Sequence, residues 1–177
     1  YNAARAVAGA LVDGFGLQRG ERVGIAMRNA PAWIVTYMGV VMAGGVATLL
    51  NGWWQGEELA DGISDTETKL VLADSPRAQR LATSGSDHGA EVVTIDVSLP
   101  IMKAIAPLTE RGGSVDSSLP MILGDDLATI LFTSGSTGQS KGAWSTHRAV
   151  TQGIFNYLVQ TLSVLTILTK AGQAPTG

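Results

Sequence analysis

The chain has 177 residues, of which 15% are charged, with a formal net charge of −3, a sequence pI near 5.3 and a mean hydropathy of +0.21. That length suits one domain with a sizeable core, while an acidic balance with no Lys/Arg cluster excludes the electrostatic footprint of a nucleic-acid binder. The absence of cysteine excludes a disulfide scaffold and thiol chemistry, and fits a reducing, cytoplasmic setting.

Residues 2–15 place Ala4, Val7, Ala8, Leu11, Val12 and Phe15 at helical spacing before Gly16, which predicts an amphipathic helix. Val23, Ile25 and Met27 then alternate with Gly24 and Ala26 in a short strand that is small on one face. Asn29 is the expected cap of a helix that starts near Pro31 and stops at Gly44 and Gly45. A strand is expected over 46–50, a helix over 57–64 and a strand over 70–73, followed by a helix after Pro76 capped by Asp74 or Ser75. Residues 84–89 read as a loop, 91–95 as a strand, and 101–106 as a helix ended by Pro107. Strands separated by helices of this length predict crossovers and a mainly parallel sheet with flanking helices, an α/β fold.

The next stretch concentrates the chemistry. Ala128, Ile130 and Phe132 alternate with Thr129, Leu131 and Thr133 in a run of strand formers, which stops in Thr133-Ser134-Gly135-Ser136-Thr137-Gly138 and ends at Lys141 and Gly142. Gly135, Gly138 and Gly142 let the backbone turn and bring its N–H groups close to an anion. The hydroxyls of Thr133, Ser134, Ser136 and Thr137 add donors without adding negative charge, and Lys141 adds the cation. Ser/Gly-rich stretches are more often linkers. A linker, however, is not normally wedged between an apolar strand and a long amphipathic helix, here expected from His147 with Ile154, Phe155, Leu158, Leu162, Leu165 and Leu168 on one face. That helix, capped by Ser145 or Thr146, would run for about 36 Å. Its polar interruptions at Asn156, Gln160, Thr161, Ser163 and Thr166 exclude a membrane span.

The P-loop of nucleotide hydrolases does not fit, because Ser140 stands where its second glycine would be and Gly142 where its Ser/Thr would be. Phe132 to Gly142 resembles instead the phosphate loop of the adenylate-forming superfamily, with Ser140 replacing the usual proline. That superfamily includes acyl-CoA synthetases, luciferases and peptide-synthetase adenylation domains. The likeness extends to Arg19-Gly20-Glu21-Arg22-Val23, to Asn29 and Trp33, to Ala43-Gly44-Gly45, to residues 51–54, and to Glu57-Glu58-Leu59. It is strongest to fatty acyl-CoA synthetases. The resemblance implies that the chain is an incomplete piece of a large N-terminal domain, with a partial α/β subdomain over 1–118 and the strand, loop and helix of the next over 119–177. It also implies a two-step ligase. A carboxylate, here expected to be a fatty acid, attacks the α-phosphate of Mg-ATP and expels pyrophosphate; a thiol, usually coenzyme A, then displaces AMP. Thr133, Ser134, Gly135, Ser136, Thr137, Gly138 and Lys141 are the residues it implies as ligands of ATP phosphates.

The family's threonine-glutamate pair, ribose-binding aspartate, hinge and C-terminal lysine are missing here, so the 177 residues alone are expected not to complete adenylation. Two rivals remain open: a catalytically dead binding or assembly module, and a phosphate-binding NTPase. Apolar surface left by truncation is expected to drive self-association or to meet a membrane peripherally. Among other residues, His88 and His147 have no ligand-spaced partner, and Asp125 and Asp126 suit capping better than magnesium. Trp53 and Trp54 suit packing, a subunit contact or an acyl path.

Overall fold

The computed structural model describes residues 1–134 and 140–172. Strands β1 (Arg22–Ala26), β2 (Val46–Leu49), β3 (Leu70–Asp74), β4 (Glu91–Ile95), β5 (Leu127–Ser134) and β6 (Ser140–Thr146) form one sheet in the order β4-β3-β1-β2-β5-β6. Every pairing is parallel except β5 with β6. β3 is buried along its whole length, as a strand covered on both faces must be.

Two apolar clusters occupy the two faces. On one, Val7 and Leu11 from α1 (Asn2–Gly9) and its π-helical continuation (Ala10–Gly14) meet Val40 from α2 (Pro31–Met42). Ile105, between the turns α5 (Ile101–Ala104) and α6 (Ala106–Thr109), and Leu108 of α6 complete this layer over Val23 and Ile25. On the other face, Leu59 and Ile63 of α3 (Gly56–Asp65) and Leu81 of α4 (Ser75–Thr83) cover Ala26, Val71 and Ala73. The alternation read in the first strand is therefore real: Val23 and Ile25 face α2, while Gly24 and Ala26 let the α3 layer approach closely.

Local corrections follow from backbone chemistry. Asn29 does not cap α2; Ala30 holds that position with no side-chain bond, and Pro31 supplies the helical φ in the first turn. The first helix widens into a π turn before Phe15. Pro107 does not end a helix but opens α6, because its missing N–H costs nothing in a first turn. The stop at Gly44 holds, with φ at +78° and the Gly45 N–H donating to Val40 O at 3.0 Å. Helix α7 (His147–Lys170) has the expected 24 residues, capped by the Thr146 hydroxyl, which accepts from the Ala149 N–H at 3.2 Å; Ser145 takes no part. None of its residues is buried, and Phe155 and Leu162 are 58% and 63% exposed.

Candidate functional site

Five parallel strands, β4, β3, β1, β2 and β5, bring their C-terminal ends to one edge of the sheet, where ligands of open α/β folds bind. β5 is locked into that edge by pairing with β2 and by the Thr129 hydroxyl, which donates to Ala47 O at 2.9 Å. Its last residues pair with the start of β6, Thr133 opposite Lys141 and Ser134 opposite Ser140. Cross-strand partners share a side of the sheet, so Thr133 and Lys141 project together and both are exposed. Gly135, Ser136, Thr137 and Gly138 lie outside the described residues. Of the seven phosphate-binding candidates, Thr133 and Lys141 are thus brought together at the root of a hairpin, while Ser134, opposite Ser140, projects to the other side. The segment after Lys141 continues as a strand rather than entering a helix, which independently excludes P-loop architecture.

Charge divides the two sides of this hairpin. Behind Phe132 and Ser140 lies a cleft of about 400 Å³ lined by Glu58, Asp61 and Asp65 along with Trp54 and Gly62. Those carboxylates repel polyphosphate, whereas Lys141 stands on the opposite side and attracts it. Glu58 also caps its own helix, accepting from the Gln55 N–H at 2.8 Å, as its place in an acidic first turn suggested. Among the described residues no group of three or more His, Asp and Glu could hold a metal ion.

The base of the hairpin is pinned by arginines. The Asp126 carboxylate accepts from Arg19 Nε at 3.0 Å and from the Leu123 N–H at 2.8 Å, and Arg148 Nε donates to Asp125 at 2.9 Å. Both carboxylates are engaged structurally, and the Arg19 hydrogen bond holds the Asp126 carboxyl below the usual range. The His147 N–H donates to Asp126 O at 2.9 Å, while His147 Nε2 is buried and finds no partner among the described residues. Burial pushes the His147 pKa down, against the pull of Asp126. His88 only braces a turn, its Nδ1 accepting from the Ala90 N–H.

The paired tryptophans separate. Trp53 is 84% exposed and Trp54 only 9%, its ring set edge-on to Phe132 at 4.9 Å and 70°. Trp54 O accepts from Arg80 Nη1 at 3.0 Å and Gly52 O from Arg77 Nε at 2.9 Å. Arg77 is in turn paired with the buried Asp74 at 2.9 Å. Asp74 was legible as a helix cap; the arginines were not, since nothing in their spacing says that they reach back to the β2–α3 loop.

Comparison with known proteins places this geometry. The family described as AMP-binding enzyme matches residues 1–170. A 4-coumarate–CoA ligase-like protein of Oryza sativa is 31% identical over 144 residues, 75% of this chain and 24% of its own. A medium/long-chain fatty-acid–CoA ligase of Mycobacterium tuberculosis is 30% identical over 135 residues, 75% of this chain and 22% of its own. The crystal structure of ATP-bound MatB from Rhodopseudomonas palustris superposes with a TM-score of 0.66 at 35% identity, covering 82% of this chain and 28% of that one. The chain thus spans about a quarter of the length of these relatives.

Proposed function

The chain belongs to the AMP-binding enzyme family, and we propose that it supplies the phosphate-binding edge of a ligase that joins a carboxylic acid to coenzyme A. In the first step a carboxylate oxygen attacks the α-phosphorus of ATP, and the bond to pyrophosphate breaks. In the second, the sulfur of coenzyme A attacks the acyl carbon and AMP leaves. Thr133, Ser134, Gly135, Ser136, Thr137, Gly138 and Lys141 hold the β- and γ-phosphates, with magnesium bound to the same oxygens. Such transfers depend on positioning and charge neutralisation more than on covalent help. Residues 119–177 open the second subdomain of the longer enzyme, after a first that ends at 118.

The observation that carries this reading is the register of the hairpin, which sets Lys141 beside Thr133 on the side away from the acidic cleft. The acid we propose is a fatty acid, supported by the mycobacterial relative named for medium- and long-chain substrates. The rice relative, named for an aromatic acid, supplies the comparison acid for the test. Pyrophosphate release from ATP is assayed with acetate, palmitate and 4-coumarate on the longest polypeptide that carries this sequence. Release that depends on palmitate and disappears in Lys141→Ala supports the reading; release of orthophosphate without any acid contradicts it. The 177 residues alone are expected to form no acyl-adenylate, and its detection by mass spectrometry refutes that expectation.

A further inference from the structure

We propose that Trp54 is a positioning residue for Thr133 at the end of β5, acting through Phe132; this rests on the reading of Thr133 and Lys141 as phosphate ligands given above. Phe132 is the third residue before Gly135 and the last large side chain on β5 before the loop. Its ring meets the edge of Trp54 at a centroid distance of 4.9 Å, a contact that fixes both separation and angle. Trp54 itself is held in place. Arg80 Nη1 donates to its carbonyl at 3.0 Å and to Gly52 O at 3.1 Å, and the residue is 9% exposed.

The space around the two rings is closed by the absence of a side chain. A Cβ built on Gly62 of α3 would stand 2.8 Å from Trp54 Cζ3 and 3.4 Å from Phe132 Cζ. Across the hairpin, a Cβ on Gly142 would stand 2.9 Å from Ile130 Cγ2 and 3.8 Å from Phe132 Cε1. Glycine at both sites lets α3 and β6 close on the ring pair, so the direction in which β5 delivers Thr133 and Ser134 is set by Trp54 rather than by the hairpin alone. Packed aromatic rings transmit displacement instead of absorbing it.

The test is calorimetric binding of inorganic triphosphate to the 177-residue chain, with the folded state of each variant followed by circular dichroism. The native chain binds and Lys141→Ala does not. Trp54→Ala and Gly62→Ala, the second of which keeps every side chain and favours the helix, each weaken binding about tenfold, equivalent to about 1.4 kcal/mol. Trp54→Phe, which keeps an apolar ring against Phe132, binds within about threefold of native. If Trp54→Ala fails to fold, Gly62→Ala decides. Native-like binding by Gly62→Ala, or a loss in Trp54→Phe equal to that in Trp54→Ala, overturns the positioning role while leaving the phosphate loop intact. Failure of the native chain to bind, or unchanged binding in Lys141→Ala, overturns the loop reading and the positioning role with it.

Discussion

Replacing Asp74 by alanine should be among the most damaging single changes at the C-terminal edge of the sheet. Its side chain is 1% exposed and accepts from the Arg28 N–H at 2.9 Å, the Arg77 N–H at 3.2 Å and Arg77 Nη1 at 2.9 Å. Loss of the helix cap alone costs about 1 kcal/mol. Leaving the Arg77 guanidinium, 12% exposed, without its carboxylate adds a buried unpaired charge, a defect worth about 3–5 kcal/mol in full burial. Because Arg77 retains some solvent and its bond to Gly52 O, we expect the lower end, about 3 kcal/mol in total. For a domain of this size that lowers Tm by about 6–12 °C. Urea unfolding followed by circular dichroism reads the loss. The double variant Asp74→Ala/Arg77→Met should be less damaged than the sum of the singles by at least about 1 kcal/mol, because no charge is left stranded. A single-variant loss below about 1 kcal/mol, or strict additivity, would refute the argument that this pair anchors the edge.

Three further predictions concern other parts of the molecule. A Cβ on Gly39 would stand 2.4 Å from Val7 Cγ1, so Gly39→Ala should destabilise by about 1–3 kcal/mol despite a helix-propensity gain of up to about 1 kcal/mol; a raised Tm would count against close α1–α2 packing. His147 has a folded pKa below its unfolded value of about 6.5. The unfolded chain therefore takes the proton first, and the contribution of His147 is complete above that pH and lost as pH falls through the folded value. His147→Gln should flatten the stability profile in that window and move only slightly the more acid one, where Asp126 loses its bond to Arg19, because the His147 charge is the smallest of the causes that hold the Asp126 carboxyl down; an unchanged slope would remove the assigned burial. The exposed apolar face of α7 should drive concentration-dependent association in sedimentation, reduced by Leu158→Lys/Leu162→Lys; a monodisperse native monomer contradicts it.

Much of the fold was legible because period and punctuation agreed. Leu70 to Ala73 read as a strand, which the structure extends to Asp74, and Gly44 and the Ser145-Thr146 pair mark helix ends by local capping chemistry. What failed was local competition: Asn29 had a capping side chain, but Pro31 already set the first turn. The phosphate-loop candidates were visible as residue types, yet the hairpin was not, because β6 owes its strand to pairing with β5 rather than to its own mixed sequence. Trp53 and Trp54 were indistinguishable in sequence; burial separates them because only one side chain meets Phe132 and the α3 layer. Arg77 and Arg80 act across 25 and 26 residues of chain on Gly52 O and Trp54 O, a separation that no local pattern encodes.

The most direct test of the account is carboxylate-dependent ATP–pyrophosphate exchange, run on the longest polypeptide that carries this sequence, with and without Lys141→Ala. The account predicts exchange that requires an acid, is strongest with a fatty acid, and is lost in the variant. Exchange without any acid, or full exchange in Lys141→Ala, would contradict it.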